Sequence, residues 1–178
     1  DDFKLGGSSY AQIMNKIGSN TPNVKSANYV KTVFNTIQYL INNEQIVAGH
    51  DVASGGLITT LLEMCFADNN LGAELDITEL NQKDSFKVLF AENAGLVIQA
   101  NDNSIEKVLT DANIEFHNIG KVTNSDILNI SNGNEIFTLT ISKLRDVVPM
   151  LDSMPLLQLS QQLPKSRAEQ IKGLGASS

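Results

Sequence analysis

The sequence has 178 residues, of which 42% are apolar and 19% charged, a composition typical of globular rather than disordered or membrane-spanning chains. A formal net charge of −7 and scattered basic residues argue against nucleic acid as a main partner. No apolar run approaches the roughly 18 residues of a spanning helix, and no basic-then-apolar leader opens the chain, so we expect a cytoplasmic protein without membrane contact. The single cysteine, Cys65, lies in the apolar run LLEMCF and is expected to be a buried thiol.

Two helices are predicted at the start of the chain. Ser8 and Ser9 are expected to cap a helix whose apolar residues recur at helical spacing until Gly18. After a turn-rich stretch, the segment 27–43 carries a clean amphipathic stripe and predicts the strongest helix of the sequence. The apolar positions of this stripe are Val30, Val33, Phe34, Ile37, Leu40 and Ile41.

Strands and helices are predicted to alternate in the middle of the chain. IVAG (46–49) is short and β-branched, which favours a buried strand, and residues 57–66 repeat at a spacing of 3.6 and predict a largely buried helix. AELDI (73–77) and GLVIQA (95–100) are typical of strands, and DSFKVLF (84–90) of a short helix.

The last part of the chain is predicted to be mostly β. Asn103 and Glu106 predict a capping box ahead of a short helix, and residues 132–134 (NGN) predict a hairpin turn. Ser142 is expected to cap a final helical stretch. Strand-like segments lie at 115–122, 126–131 and 135–141. The order of elements predicts a mixed α/β fold with an antiparallel end.

The segment HDVASGGL is the strongest candidate for chemistry. A strand that ends at His50 and Asp51 presents both side chains at its carboxyl edge, where α/β proteins place ligands. Gly55 and Gly56, at the start of the next helix, can bring backbone amides close to a phosphate. Asp51 could then hold Mg²⁺, while His50 bonds the nucleotide or orients Asp51. The alternative is a tight strand-to-helix turn, in which Asp51 caps the helix and His50 lies in the core.

Weaker candidates lie elsewhere. Gly6, Gly7 and Ser8 (LGGS) could form a second anion cradle, or a flexible helix start with a serine cap. Glu92, just before a predicted strand, could be a ligand, or could cap or pair with backbone. His117 is interpreted as a structural or exposed histidine. No catalytic residue is assigned.

Three segments resemble a known family: KLGGSSYAQIMNKIG, HDVASGGLITTLLEMCFA and LFAENAGLVIQANDN. In this order and spacing they are similar to the last AIR synthase-like domain of the phosphoribosylformylglycinamidine synthases (FGAM synthetases, FGAR amidotransferases), in their large single-chain form. The resemblance covers residues 1–147, which are predicted to form one domain. Residues 148–178, interrupted by prolines and without a settled period, are interpreted as an irregular tail that is a linker, disordered or non-native.

The resemblance implies a three-layer α/β/α fold and a role in purine biosynthesis. The family's full enzymes are ligases that convert formylglycinamide ribonucleotide, ATP and glutamine to the amidine, ADP, phosphate and glutamate, with Mg²⁺. The expected partners are an N-terminal AIR synthase-like domain and a glutaminase domain of the same chain, together with nucleotide substrates. The isolated domain is expected to be inactive and to self-associate, because the surface that faces the N-terminal domain should be apolar.

The family pattern also assigns residues. Asp51 matches a metal-ligating aspartate, with His50 beside it, and Gly55 and Gly56 match the paired glycines. Ala53 stands where the family keeps a nucleotide-contacting serine. Either the hydroxyl of Ser54, one residue later, or a backbone amide is therefore expected to make the nucleotide contact instead. This motif is expected to serve an auxiliary nucleotide site rather than the catalytic one.

Two other interpretations are compatible with the sequence. The chain could be the C-terminal domain of a sibling enzyme, such as aminoimidazole ribonucleotide synthase or a related ATP-dependent kinase-like enzyme. It could also be a non-catalytic structural module that binds nucleotide.

Overall fold

Helices and strands alternate along residues 3–146, the part of the chain that the computed structural model describes. The helices are α1 (Ser9–Ile13), α2 (Ala27–Asn42), α3 (Gly56–Cys65), α4 (Ser85–Phe90), α5 (Ser104–Asp111) and α6 (Ile141–Arg145), with a 3₁₀ helix at Thr78–Leu80. The strands are β1 (Ile46–Asp51), β2 (Gly72–Asp76), β3 (Leu96–Ala100), β4 (Gly120–Thr123), β5 (Ile127–Asn132) and β6 (Glu135–Thr140). Asp1–Ile141 form one compact unit. The second unit begins at Ser142, and the predicted tail at 148–178 lies outside the described residues.

The strands form two sheets. The larger sheet has the order β4-β2-β5-β6, in which β2 and β5 are parallel and the outer strands run antiparallel to their neighbours. The smaller sheet is the antiparallel pair β1-β3. Asn132 pairs with Glu135 across a turn in which Gly133 has a φ of 59°, so the predicted hairpin is confirmed. The predicted mixed α/β fold with an antiparallel end is confirmed as well.

Two separate apolar clusters form the core. The first lies under the four-stranded sheet, where Leu128 and Ile130 of β5 are fully buried beside Ala73 and Leu75 of β2. It includes the thiol of Cys65, which is buried as expected. The second cluster joins α2, α5 and the smaller sheet through Leu40, Ile105, Leu109 and Ile114, with Ile46 and Ile98 packed against them.

Left-handed residues other than glycine end three of the helices. The prediction that the first helix runs to Gly18 is wrong: α1 ends after one turn because Asn15 adopts a φ of 52°, and the next amide donates to the Ala11 carbonyl at 2.8 Å. Glu44 and Asn113 end α2 and α5 in the same way, with φ values of 55° and 53°. None of the helices within the described range has the length and apolarity that crossing a bilayer requires.

Some apolar side chains that were predicted to be buried are exposed. The bounds of α2 agree with the prediction, yet Phe34 on its stripe is 62% exposed while Leu40 is fully buried. Ile13 of α1 is 79% exposed. The expectation that β1 is a buried strand is also wrong, since Val47 is exposed. An apolar pattern indicates that a face favours burial, but it does not show what covers that face. Among residues 3–146, no segment covers these positions.

Three local predictions also need correction. The Asn103 side chain makes no capping hydrogen bond, and the Glu106 amide donates to the Asn103 backbone carbonyl at 3.1 Å. Only the end of the segment 115–122 is a strand, as part of β4. Helix α6 begins one residue before Ser142, so that serine lies inside the helix rather than at its cap.

Candidate functional site

The carboxyl end of β1 presents His50 and Asp51, as the sequence predicted. The His50 ring lies between two oxygen atoms, with Nδ1 2.7 Å from the Asp51 carbonyl and Nε2 3.2 Å from Glu63 Oε2. The Thr60 hydroxyl donates to the same Asp51 carbonyl at 3.1 Å. Helix α3 therefore holds the end of β1 in place through two side chains on successive turns, Thr60 and Glu63.

The Asp51 carboxylate itself points to solvent. Its side chain is 73% exposed, and its Oδ1 lies 3.6 Å from His50 Nδ1. No group of three or more metal-ligating side chains occurs among residues 3–146. Mg²⁺ is commonly held by one or two carboxylates together with phosphate oxygens and water. An exposed single carboxylate fits a metal that is shared with a nucleotide.

The loop at residues 52–55, here called the second glycine loop, leads from β1 into α3. Gly55 and Gly56 both have positive φ, 90° and 76°, and Gly55 is the residue that caps α3. A Cβ atom on Gly56 would lie 2.7 Å from the Leu89 carbonyl oxygen of α4. Gly56 is therefore needed for close packing of α3 against α4, a reason that the sequence did not reveal.

The amides of both glycines already have protein partners. The Gly55 amide donates to Glu92 Oε1 at 2.8 Å, and the Gly56 amide to the Ala53 carbonyl at 3.0 Å. Ala53 and Ser54, by contrast, are exposed, and the Ser54 hydroxyl forms no hydrogen bond with any described residue. The part of this loop that is open to a ligand is thus 53–54, next to Asp51.

The loop at residues 5–8, here called the first glycine loop, is closed by hydrogen bonds to the backbone of residues 17–20. The Gly6 amide donates to the Asn20 carbonyl at 3.0 Å and the Gly7 amide to the Ile17 carbonyl at 2.8 Å. The Ser8 hydroxyl is buried, accepts the Ala11 amide hydrogen and donates to the backbone, so it caps α1. The geometry favours the serine-cap interpretation of this segment over an anion cradle.

Glu92 connects the two glycine loops. Its Oε1 accepts hydrogen bonds from the amides of Ser9 and Gly55, both at 2.8 Å. Burial raises the pKa of the Glu92 carboxyl, but the two amide hydrogen bonds and one from the Ser9 hydroxyl outweigh it, and the pKa lies below its ordinary value. Of the two roles considered for Glu92, pairing with backbone is the one that forms.

His117 is the remaining candidate from the sequence, and two further residues, Thr60 and Glu63, support the site without having been predicted. His117 lies in the segment before β4, with Nε2 3.7 Å from Glu115 Oε1, which agrees with a structural or exposed histidine. Sequence reasoning missed Thr60 and Glu63 as supports of the site. Their spacing of three residues places both on one face of a helix, and only the position of β1 shows what that face contacts.

A family comparison and two curated relatives agree on the family. The sequence model described as AIR synthase related protein, C-terminal domain, matches residues 4–131. An Arabidopsis thaliana protein named probable phosphoribosylformylglycinamidine synthase, chloroplastic/mitochondrial, is 37% identical over 132 residues, which are 71% of this chain and 9% of that protein. A Caenorhabditis elegans protein with the name probable phosphoribosylformylglycinamidine synthase is 34% identical over 134 residues, 69% of this chain and 10% of that protein. The chain thus spans about a tenth of the length of these relatives.

Solved structures share the fold. The chain matches Thermotoga maritima PurLQS with a TM-score of 0.58 and 13% identity, covering 76% of this chain and 24% of that one. It matches T. maritima PurL complexed with ATP with a TM-score of 0.54 and 14% identity, covering 64% of this chain and 21% of that one. The resemblance inferred from the three sequence segments is therefore confirmed, and the chain belongs to the family of AIR synthase related proteins, as a C-terminal domain of that family.

Proposed function

We propose that this chain is the AIR synthase-like C-terminal domain of a phosphoribosylformylglycinamidine synthase and contributes part of a Mg²⁺–nucleotide site. The observation that carries the proposal is the exposed Asp51 carboxylate, held at the end of β1 beside the open residues Ala53 and Ser54. Two relatives bear the name of that enzyme, and structures with the same fold include PurL complexed with ATP and with ADP.

In the complete enzyme, the expected reaction converts formylglycinamide ribonucleotide, ATP, glutamine and water to the amidine, ADP, phosphate and glutamate. Bound Mg²⁺ would neutralise phosphate charge, and Asp51 would be its protein ligand. Thr60 would keep the end of β1 in position through its hydrogen bond to the Asp51 carbonyl, and Glu63 would do so through its contact with His50. We assign no catalytic residue to this chain, because the activity needs an N-terminal AIR synthase-like domain and a glutaminase domain.

The test is a calorimetric titration of the 178-residue chain with ADP and Mg²⁺. We expect weak binding by the wild type and at least about tenfold weaker binding by Asp51→Asn, since a metal bridge is lost. The matched control is Asp111→Asn, which removes an exposed carboxylate of α5 that is paired with Lys107. Equal affinities for wild type and Asp51→Asn would contradict the metal role of Asp51, and absence of binding at millimolar ADP would contradict a nucleotide site in this chain.

The departure at Ala53 allows a second test. If Ser54 supplies the hydroxyl, Ser54→Ala should weaken binding of ADP, and adding Ala53→Ser to that variant should restore it. Unchanged binding by Ser54→Ala would mean that a backbone amide makes the contact. Restoration by Ala53→Ser would place the hydroxyl at the position that the family pattern favours.

The departure also supports a second candidate function, a non-catalytic nucleotide-binding module. Its distinguishing result is nucleotide binding by this chain that is unaffected when Mg²⁺ is withdrawn. The cytoplasmic location predicted from the sequence stays a prediction.

Self-association of the chain is also expected. The apolar side chains of Val30, Phe34 and Ile41 are exposed along α2 and present a surface that favours contact with another protein. Sedimentation at increasing protein concentration should show a rising average mass, and a constant monomeric mass would contradict the expectation.

A further inference from the structure

One carboxylate oxygen fixes the beginnings of two helices. Glu92 Oε1 accepts the amide hydrogen of Gly55, the residue that caps α3, and the amide hydrogen of Ser9, the first residue of α1. Glu92 lies 37 residues from Gly55 in the sequence and 83 residues from Ser9. The two glycine loops are therefore brought together by a third segment, the connection between α4 and β3.

The contact suits a carboxylate better than a neutral side chain. Both donors are backbone amides at helix starts, where amides lack partners within the helix and the helix dipole favours negative charge. Hydrogen bonds from an amide to an ionised carboxylate are roughly twice as strong as those to a neutral acceptor. A glutamine in this position would keep one oxygen but lose the charge.

The rest of the second glycine loop depends on this anchor. Its far end is tied to the smaller sheet by the bond from the Val52 amide to the Gly95 carbonyl at 2.9 Å. Between these two anchors lie only Ala53 and Ser54, the exposed residues beside Asp51. The conformation of these two residues is thus restrained by Val52 on one side and by the Gly55 amide on the other, together with the hydrogen bond from the Gly56 amide to the Ala53 carbonyl at 3.0 Å.

We propose that Glu92 is a positioning residue of the nucleotide site: its carboxylate joins the first and second glycine loops and holds residues 53–54 in the conformation that receives the ligand. The inference rests on the proposed function for its ligand, Mg²⁺–ADP. The link between the two loops is a property of the chain alone.

The link is tested first, by amide hydrogen exchange of the 178-residue chain without ligand. In Glu92→Gln the amides of Ser9 and Gly55 should both exchange at least about tenfold faster, and in Glu92→Ala faster still, because the charge-assisted bonds weaken or disappear. The core amide of Leu128 should keep its protection, which separates a local effect from general unfolding. Glu79→Gln, an exposed glutamate of the 3₁₀ helix, is the matched control and should change neither amide. Unchanged exchange at either Ser9 or Gly55 would overturn the inference.

The positioning role is tested second, by titration of the same variants with Mg²⁺–ADP. Glu92→Gln should bind at least about fivefold more weakly than the wild type, with Glu79→Gln within twofold of it. If Asp51→Asn loses binding and Glu92→Gln keeps wild-type affinity, the positioning role is overturned and the proposed function stands. If the wild type binds no Mg²⁺–ADP, the proposed site fails, and the positioning role fails with it even where the exchange results agree.

Discussion

Replacing Gly56 by alanine should be one of the most damaging single-methyl changes in this protein. Gly56 has a φ of 76°, and a residue with a Cβ in this left-handed region costs about 1–2 kcal/mol. The added Cβ would also lie 2.7 Å from the Leu89 carbonyl oxygen and 2.8 Å from the Phe90 carbonyl carbon, both backbone atoms of α4 that cannot rotate away. Overpacking of this kind costs about 1–3 kcal/mol. We expect a loss of about 2–5 kcal/mol in the free energy of unfolding, a large part of the about 5–15 kcal/mol of an ordinary domain.

The hairpin turn supplies a control with the same conformational cost and no clash. Gly133 has a φ of 59°, and a Cβ atom there would meet no described atom within 4 Å. Gly133→Ala should therefore lose only about 1–2 kcal/mol. Urea unfolding of both variants, followed by circular dichroism, measures the difference, which isolates the cost of packing α3 against α4. Equal losses in the two variants would refute the view that Gly56 is required by the approach of α4.

Three further predictions concern stability and reactivity. The pKa of Glu92 is lowered from 4.5 in the folded chain, so its ionised form stabilises the fold above that pH. The difference in unfolding free energy between wild type and Glu92→Gln should therefore be complete at about pH 6 and should shrink as the pH falls through the folded pKa. A difference that does not change with pH would contradict this. Leu40→Ala should destabilise the second cluster by about 2–5 kcal/mol in urea unfolding, and a loss below about 1 kcal/mol would show that α2 is not anchored there. Cys65 should react with a thiol reagent only after unfolding, and fast labelling of the native chain would show that the first cluster opens readily.

Local patterns in the sequence predicted those elements whose ends are set locally. The spacing of apolar residues located α2 to within a residue, with the Ser26 hydroxyl accepting the Tyr29 amide hydrogen at its start. Helix α1 was predicted too long because its end depends on Asn15 adopting a left-handed conformation. Residues 17–20 also form backbone hydrogen bonds with the first glycine loop instead of continuing the helix. Such bonds between separate segments leave no periodic pattern in the sequence, so the end of α1 could not be predicted from it.

The sequence predicted the parts of the candidate site that are set locally, but not the contacts made by other segments. The position of His50 and Asp51 at the end of β1 follows from a strand that stops before paired glycines, and this was correct. The partner of the Gly55 amide could not be deduced, because Glu92 lies in another segment and its pattern was compatible with several roles. Likewise, the sequence pattern predicts that Gly56 lets a phosphate approach the backbone. In the structure, the backbone of α4 lies where the Cβ atom of a larger residue would be, 2.7 Å away at the Leu89 carbonyl oxygen.

Because the core is divided into two clusters, the second glycine loop connects elements that belong to different clusters. Leu40 and its neighbours hold α2, α5 and the smaller sheet together, while α3 and α4 belong to the cluster under the larger sheet. Residues 52–55 are the covalent connection between a strand of one group and a helix of the other. A ligand that binds there contacts both groups at once, and by linkage it should raise the opening free energy of each and make them unfold more nearly as one cooperative unit.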